Sequence, residues 1–125
     1  ERVAAGFPSP AQDYVEQSLD LNEFLIRNEN STFIVKANSL SMLDAGIDID
    51  DPLVVDRSLS AKSGDIVIAL IDNDFTVKRL MIDHHFSPPK VWLKAENPDY
   101  QNIYITDGQE LQIWGVVTYN LKPMR

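Results

Sequence analysis

From Thr32 to Tyr119 short apolar and β-branched runs alternate with polar or Pro/Gly-bearing breaks, a pattern that predicts a mostly β domain. Thr32-Phe33-Ile34-Val35-Lys36 and Leu53-Val54-Val55 predict two short strands. Asp65 opens the run Ile66-Val67-Ile68-Ala69-Leu70-Ile71, which is apolar without interruption and predicts a strand buried on both faces. Asp72-Asn73-Asp74 reads as a turn, and Phe75 to Leu80 as the returning partner of a hairpin. Ser87-Pro88-Pro89 breaks the pattern. Beyond it, Val91-Trp92-Leu93 and Ile103-Tyr104-Ile105 predict short strands, and Leu111 to Tyr119, with Gly115 inside, predicts a long last one.

Two stretches break this β pattern. Ser39 to Asp44 reads as a turn entering a short helical piece. Leu19 to Asn28 predicts a short helix: Leu21, Phe24 and Leu25 share one face, Asp20 is the expected N-cap, and Glu23 is its capping-box partner. Upstream, Gly6, Pro8, Ser9 and Pro10 punctuate the chain and push it to extended conformations. The expected organisation is therefore an extended arm over residues 1–18 and a single domain over residues 19–125. The chain opens on Glu1 rather than Met, which predicts further residues upstream.

Charge narrows the partners. The net charge is −8 over 125 residues, from 19 acidic and 11 basic side chains. Phosphate binding needs clustered Lys and Arg, so this domain is not expected to bind nucleic acid directly, nor an anionic membrane. No apolar run approaches the ~20 residues of a membrane-spanning helix, and no signal peptide stands at the start. Cysteine is absent, which excludes disulfides, thiol nucleophiles and Cys-ligated metals and fits a cytoplasmic location.

Most chemical constellations fail on spacing. His84 and His85 are adjacent beside a Pro-rich turn and read as a solvated loop. Asp44, Asp48, Asp50 and Asp51 do not follow the EF-hand pattern: counting from Asp48, Pro52 takes the fifth position and no Glu takes the twelfth. Phosphate-binding glycine loops and the Gly-x-Ser-x-Gly elbow are missing. No cofactor or metal is expected. Ser41 remains, at the end of a strand and the start of a turn, near free backbone N–H groups that could hold an oxyanion. Lys78 remains too, on the strand face shared with Thr76 and Leu80. A buried lysine loses its proton more readily and can serve as a base. Spacing alone leaves two plainer alternatives open: a strand lysine snorkels to solvent, and a serine before a helix is a cap.

At these residues the chain resembles the LexA/UmuD family of self-cleaving SOS-response proteins, and its UmuD branch most. The likeness runs from Ala5 to Arg125 and rests on four segments in order. Ala5-Gly6-Phe7-Pro8-Ser9-Pro10 with Asp13-Tyr14-Val15-Glu16-Gln17 is similar to the cleavage region and arm. Phe33 to Ala37 through Ser41-Met42 and Gly46-Ile47 is similar to the nucleophile segment. Gly64 to Ala69 with Phe75 to Leu80 is similar to the lysine hairpin, and Trp114-Gly115-Val116-Val117 to the closing strand. Two positions depart from the family pattern: Ser39 and Asp50 stand where the family usually has Gly.

The resemblance implies a mostly β self-cleaving serine peptidase domain with short helices and an N-terminal arm. It implies Ser41 as nucleophile, Lys78 as general base, the backbone N–H groups of Leu40 and Ser41 as oxyanion hole, and Ala5-Gly6 as the bond cut. It also implies a homodimer, stimulation by RecA filaments on single-stranded DNA, and control of an error-prone DNA polymerase. Two alternatives stand beside this: a LexA-like repressor whose DNA-binding domain lies upstream of Glu1, and a non-catalytic dimeric interaction module. The 14 residues from Gly6 to Leu19 can span up to ~46 Å, enough to reach the domain's own site or a partner's.

Overall fold

The computed structural model describes residues 20–125. Seven strands form one antiparallel sheet: β1 (Thr32–Lys36), β2 (Pro52–Asp56), β3 (Ile66–Ile71), β4 (Asp74–Asp83), β5 (Lys90–Lys94), β6 (Ile103–Tyr104) and β7 (Leu111–Asn120). Their spatial order is β1-β2-β7-β3-β4-β5-β6. The last strand thus inserts between β2 and β3 instead of adding to an edge. The mostly β expectation holds.

β3 is buried on both faces, as its unbroken apolar run predicts. Val67 and Ala69 pack with Leu80, Leu93 and Val116 in one core cluster. Ile68 points the other way and packs with Ala37, Met42, Ile47, Leu53 and Val55. The turn into β4 is a two-residue hairpin in which Asp72 (φ 47°) and Asn73 (φ 72°) both take the left-handed conformation. Asn and Asp tolerate that region better than other side-chain-bearing residues, and the primed turn it makes matches the twist of the paired strands.

Gly115 lets β7 enter the sheet. A Cβ at this position would lie 2.5 Å from Val55 Cγ1, so any side chain would have to displace the buried Val55 side chain of β2. Register shifts flank it, between Val54 and Val55 on β2 and between Ile68 and Ala69 on β3. Such irregularities bend and twist the strands that carry them.

The N-terminal helix is shorter than its periodicity predicts. It spans only Leu21–Leu25, and the backbone is already extended at Ile26. Asp20 is the N-cap, but its carboxylate accepts from the Asn22 N–H, not from Glu23. Leu21 and Phe24 stay exposed and Leu25 is only partly buried; no residue of the helix is fully buried. Among the described residues Phe24 meets only Tyr119 in an aromatic contact, with ring centroids 6.1 Å apart, and a helix this short with so little burial has little to hold it. Asn28 then caps a separate 3-10 turn, Glu29–Ser31, that feeds β1. The proposed arm over residues 1–18 and the Ala5-Gly6 bond lie outside the described residues.

Candidate active site

Two elements of different character bring Ser41 and Lys78 together. Lys78 stands in the middle of β4, paired with Val67 of β3. Ser41 stands in an irregular segment between β1 and a 3-10 turn, Leu43–Ala45. Both side chains are buried, at 2% and 6% exposure. Lys78 Nζ donates to Ser41 Oγ at 2.9 Å.

Lys78 has two other acceptors, Thr76 Oγ1 at 2.7 Å and the Val77 carbonyl at 3.2 Å. These three bonds use all the N–H groups of an ammonium. The contact with Thr76 confirms the shared face expected from strand alternation. Among the described residues no carboxylate pairs with Lys78. Burial therefore pushes its pKa below the usual lysine value of 10.5. The lysine does not snorkel to solvent.

Nor is Ser41 a helix cap. Met42 occupies the N-cap position of the 3-10 turn and makes no side-chain cap bond. A turn of three residues also carries too little of a helix dipole to matter. The segment is instead held from a distance. The Glu96 N–H donates to the Ser41 carbonyl and the Asp44 N–H to the Glu96 carbonyl, each at 2.8 Å. Asn97 Nδ2 donates to the Leu40 carbonyl at 2.8 Å. Met42, 1% exposed, anchors the segment in the core. The Glu96 carboxylate in turn accepts from Arg79 Nε at 2.8 Å, and that bond holds its pKa below the usual carboxylate value. Glu96 thus ties the strand of Lys78 to the segment of Ser41. Sequence reasoning missed both Glu96 and Asn97. Ordinary polar residues after a strand give no signal of such a role.

The backbone N–H of Ser41, one of the two expected oxyanion donors, donates to Ser39 Oγ at 3.3 Å. Among the described residues the Leu40 N–H has no acceptor. Farther along the same loop, Asp51 is buried and its carboxylate accepts from the Asp48 N–H at 2.8 Å, Asn120 Nδ2 at 2.9 Å and Lys122 Nζ at 2.7 Å. The Lys122 bond, then that of Asn120, lowers its pKa to about 2. Asp50 has φ 68°, the left-handed region that favours the family's Gly at this place. Asp is among the residues that tolerate it, so the substitution keeps the loop. His84 and His85 lie in an exposed turn, where His85 bonds Asp83.

A groove of about 290 Å³ adjoins the site. Val35, Ile68, Phe75, Val77 and Trp114 line it, and so does Thr76, which holds Lys78. Trp114 packs against Phe33 and Phe75, with ring centroids 5.6 and 6.1 Å apart.

The sequence pattern described as Peptidase S24-like matches residues 1–118. Protein MucA of Salmonella typhimurium is 45% identical over 122 residues, which are 97% of this chain and 80% of MucA. Protein SamA of Salmonella typhimurium is 48% identical over 118 residues, 94% of this chain and 79% of SamA. Identity to the LexA repressor of Paraburkholderia xenovorans is lower, 39% over 123 residues, which are 98% of this chain and 55% of the repressor. The chain belongs to the Peptidase S24-like family, as a UmuD-like member of the self-cleaving SOS-response proteins.

Proposed function

We propose that this protein cuts its own Ala5-Gly6 bond with Ser41 as nucleophile and Lys78 as general base. The observation that carries this reading is the 2.9 Å bond between two buried groups, Lys78 Nζ and Ser41 Oγ, with no carboxylate among the described residues to hold the lysine charged. Once Lys78 has lost a proton, its amine takes the proton of the Ser41 hydroxyl. Ser41 Oγ bonds to the Ala5 carbonyl carbon, and the π pair moves onto the carbonyl oxygen. The N–H groups of Leu40 and Ser41 receive that charge. Collapse breaks the C–N bond to Gly6, whose amine takes the proton from Lys78. Water then hydrolyses the acyl ester by the same route.

Two features favour an attached substrate. The apolar groove suits the small, apolar stretch Val3-Ala4-Ala5-Gly6-Phe7. An attached bond also makes attack effectively unimolecular, so a modestly activated serine suffices. In this reading residues 1–18 are the arm and residues 19–125 the peptidase and dimerisation domain. The protein acts as a cytoplasmic homodimer, RecA filaments on single-stranded DNA favour the cleavable pose, and the trimmed product serves an error-prone DNA polymerase. The higher identities to MucA and SamA than to the LexA repressor support this output over a repressor.

Incubation of the intact chain from pH 7 to 11, followed by mass spectrometry, tests the dyad. Cleavage at Ala5-Gly6 should rise with pH as Lys78 deprotonates, with a midpoint below 10.5. Ser41→Ala and Lys78→Ala should both be inert. Equal cleavage in either variant would sink the dyad.

A further inference from the structure

Ser39 stands where the family usually has Gly, and its hydroxyl is engaged twice at the site. It donates to Ser41 Oγ at 3.0 Å and accepts from the Ser41 N–H at 3.3 Å. A hydroxyl oxygen has two lone pairs. Both lone pairs of Ser41 Oγ are occupied, one by Lys78 Nζ at 2.9 Å and one by Ser39. An oxygen in this state has none to offer a carbonyl carbon. Deprotonation of Lys78 frees only one of them, because Ser41 O–H then turns to donate to the amine. The bond from Ser39 remains. The same hydroxyl also occupies an N–H that the oxyanion would need.

We propose that Ser39 is a brake on Ser41: in the resting state its hydroxyl holds a lone pair of the nucleophile and one oxyanion donor, and it must rotate away before attack. This rests on the dyad reading above and goes beyond it. The brake is local, and a Gly at this position has no side chain to apply it. Releasing it costs about one net hydrogen bond, which corresponds to roughly 5-fold in rate. Ser39 is not among the described residues with left-handed φ, so Ala fits its backbone without strain.

The experiment compares self-cleavage of the intact wild-type chain with Ser39→Ala, Ser39→Gly and Ser39→Thr from pH 7 to 11, with the melting temperature of each. Ala and Gly should cleave about 5-fold faster at every pH with the midpoint unmoved. Thr keeps the hydroxyl and should stay near the wild-type rate. A loop that merely needed Ser39 for its shape would give the reverse, slower cleavage in Ala and Gly. Ala and Gly rates at or below wild type, in protein that melts normally, overturn the brake. If Ala alone melts early, the Gly variant decides. Ser41→Ala is also combined with Ser39→Ala. Cleavage surviving in that double variant would condemn the dyad, whereas cleavage that needs Ser41 but is not accelerated by Ser39→Ala would condemn only the brake.

Discussion

The two halves of the site are built in opposite ways. Lys78 belongs to a regular strand, and its neighbours in the sheet set its direction: Val67 pairs with it, and Thr76, two residues away, accepts a hydrogen bond from its Nζ. Ser41 belongs to a segment without repeating structure, set by backbone and amide bonds from Glu96 and Asn97, more than fifty residues downstream. Substitutions near the lysine should therefore alter its protonation and leave its position intact. Those near the serine should alter geometry and leave protonation intact.

The largest effect breaks both halves alike. Ser41→Ala and Lys78→Ala should each lower self-cleavage by at least ~10³-fold, because groups acting as a unit fail together. A residual rate within tenfold of wild type in either, by mass spectrometry at pH 10, would separate the halves.

The sharper contrast comes next. Asn97→Ala removes the donor to the Leu40 carbonyl, and the plateau rate should fall about tenfold without a change in the pH midpoint. Thr76→Val removes an acceptor that favours the ammonium, and the midpoint should move to lower pH. A moved midpoint in Asn97→Ala, or an unmoved one in Thr76→Val, would contradict the division between geometry and protonation.

A smaller effect concerns the far end of the serine segment. The pKa of Asp51 falls on folding from 3.8 to about 2. A carboxylate with a depressed folded pKa stabilises fully above its unfolded value and loses that contribution as pH falls through the folded one. Asp51→Asn should thus melt below wild type at pH 7, and the gap should close as pH drops from 3.8 toward 2. A gap that stays constant with pH would mean that the charge is not what holds this loop.

The smallest effect tests the backbone alone. Asp50→Gly should leave stability within about 1 kcal/mol of wild type by denaturant unfolding, since Gly relieves the left-handed strain at φ 68° while adding entropy to the unfolded chain. Asp50→Val, with a β-branched side chain in that conformation, should cost more.

Much of the fold is legible along the chain because strands are local patterns. The unbroken run Ile66–Ile71 announces its two buried faces, and Asp72-Asn73 announces the hairpin. The helix over Leu19 to Asn28 is overestimated because periodicity does not say whether a face finds a partner, and Leu21 and Phe24 stay more than half exposed. Gly115 is visible as an oddity inside a strand, but its reason, the close approach of Val55, depends on β7 lying beside β2.

What the sequence determined by itself is the set of strands, the turn at Asp72-Asn73, the face on which Lys78 lies, and the family resemblance at Ser41 and Lys78. Alternation and turn chemistry are short-range, so a few neighbouring residues suffice to state them. What only the tertiary structure decided is that Lys78 is buried against Ser41 instead of reaching solvent, that Glu96 and Asn97 hold the serine segment, and that Ser39 occupies the nucleophile's second lone pair. Burial and hydrogen-bond geometry depend on which distant segments meet, and β7 inserting into the middle of the sheet sets that assembly.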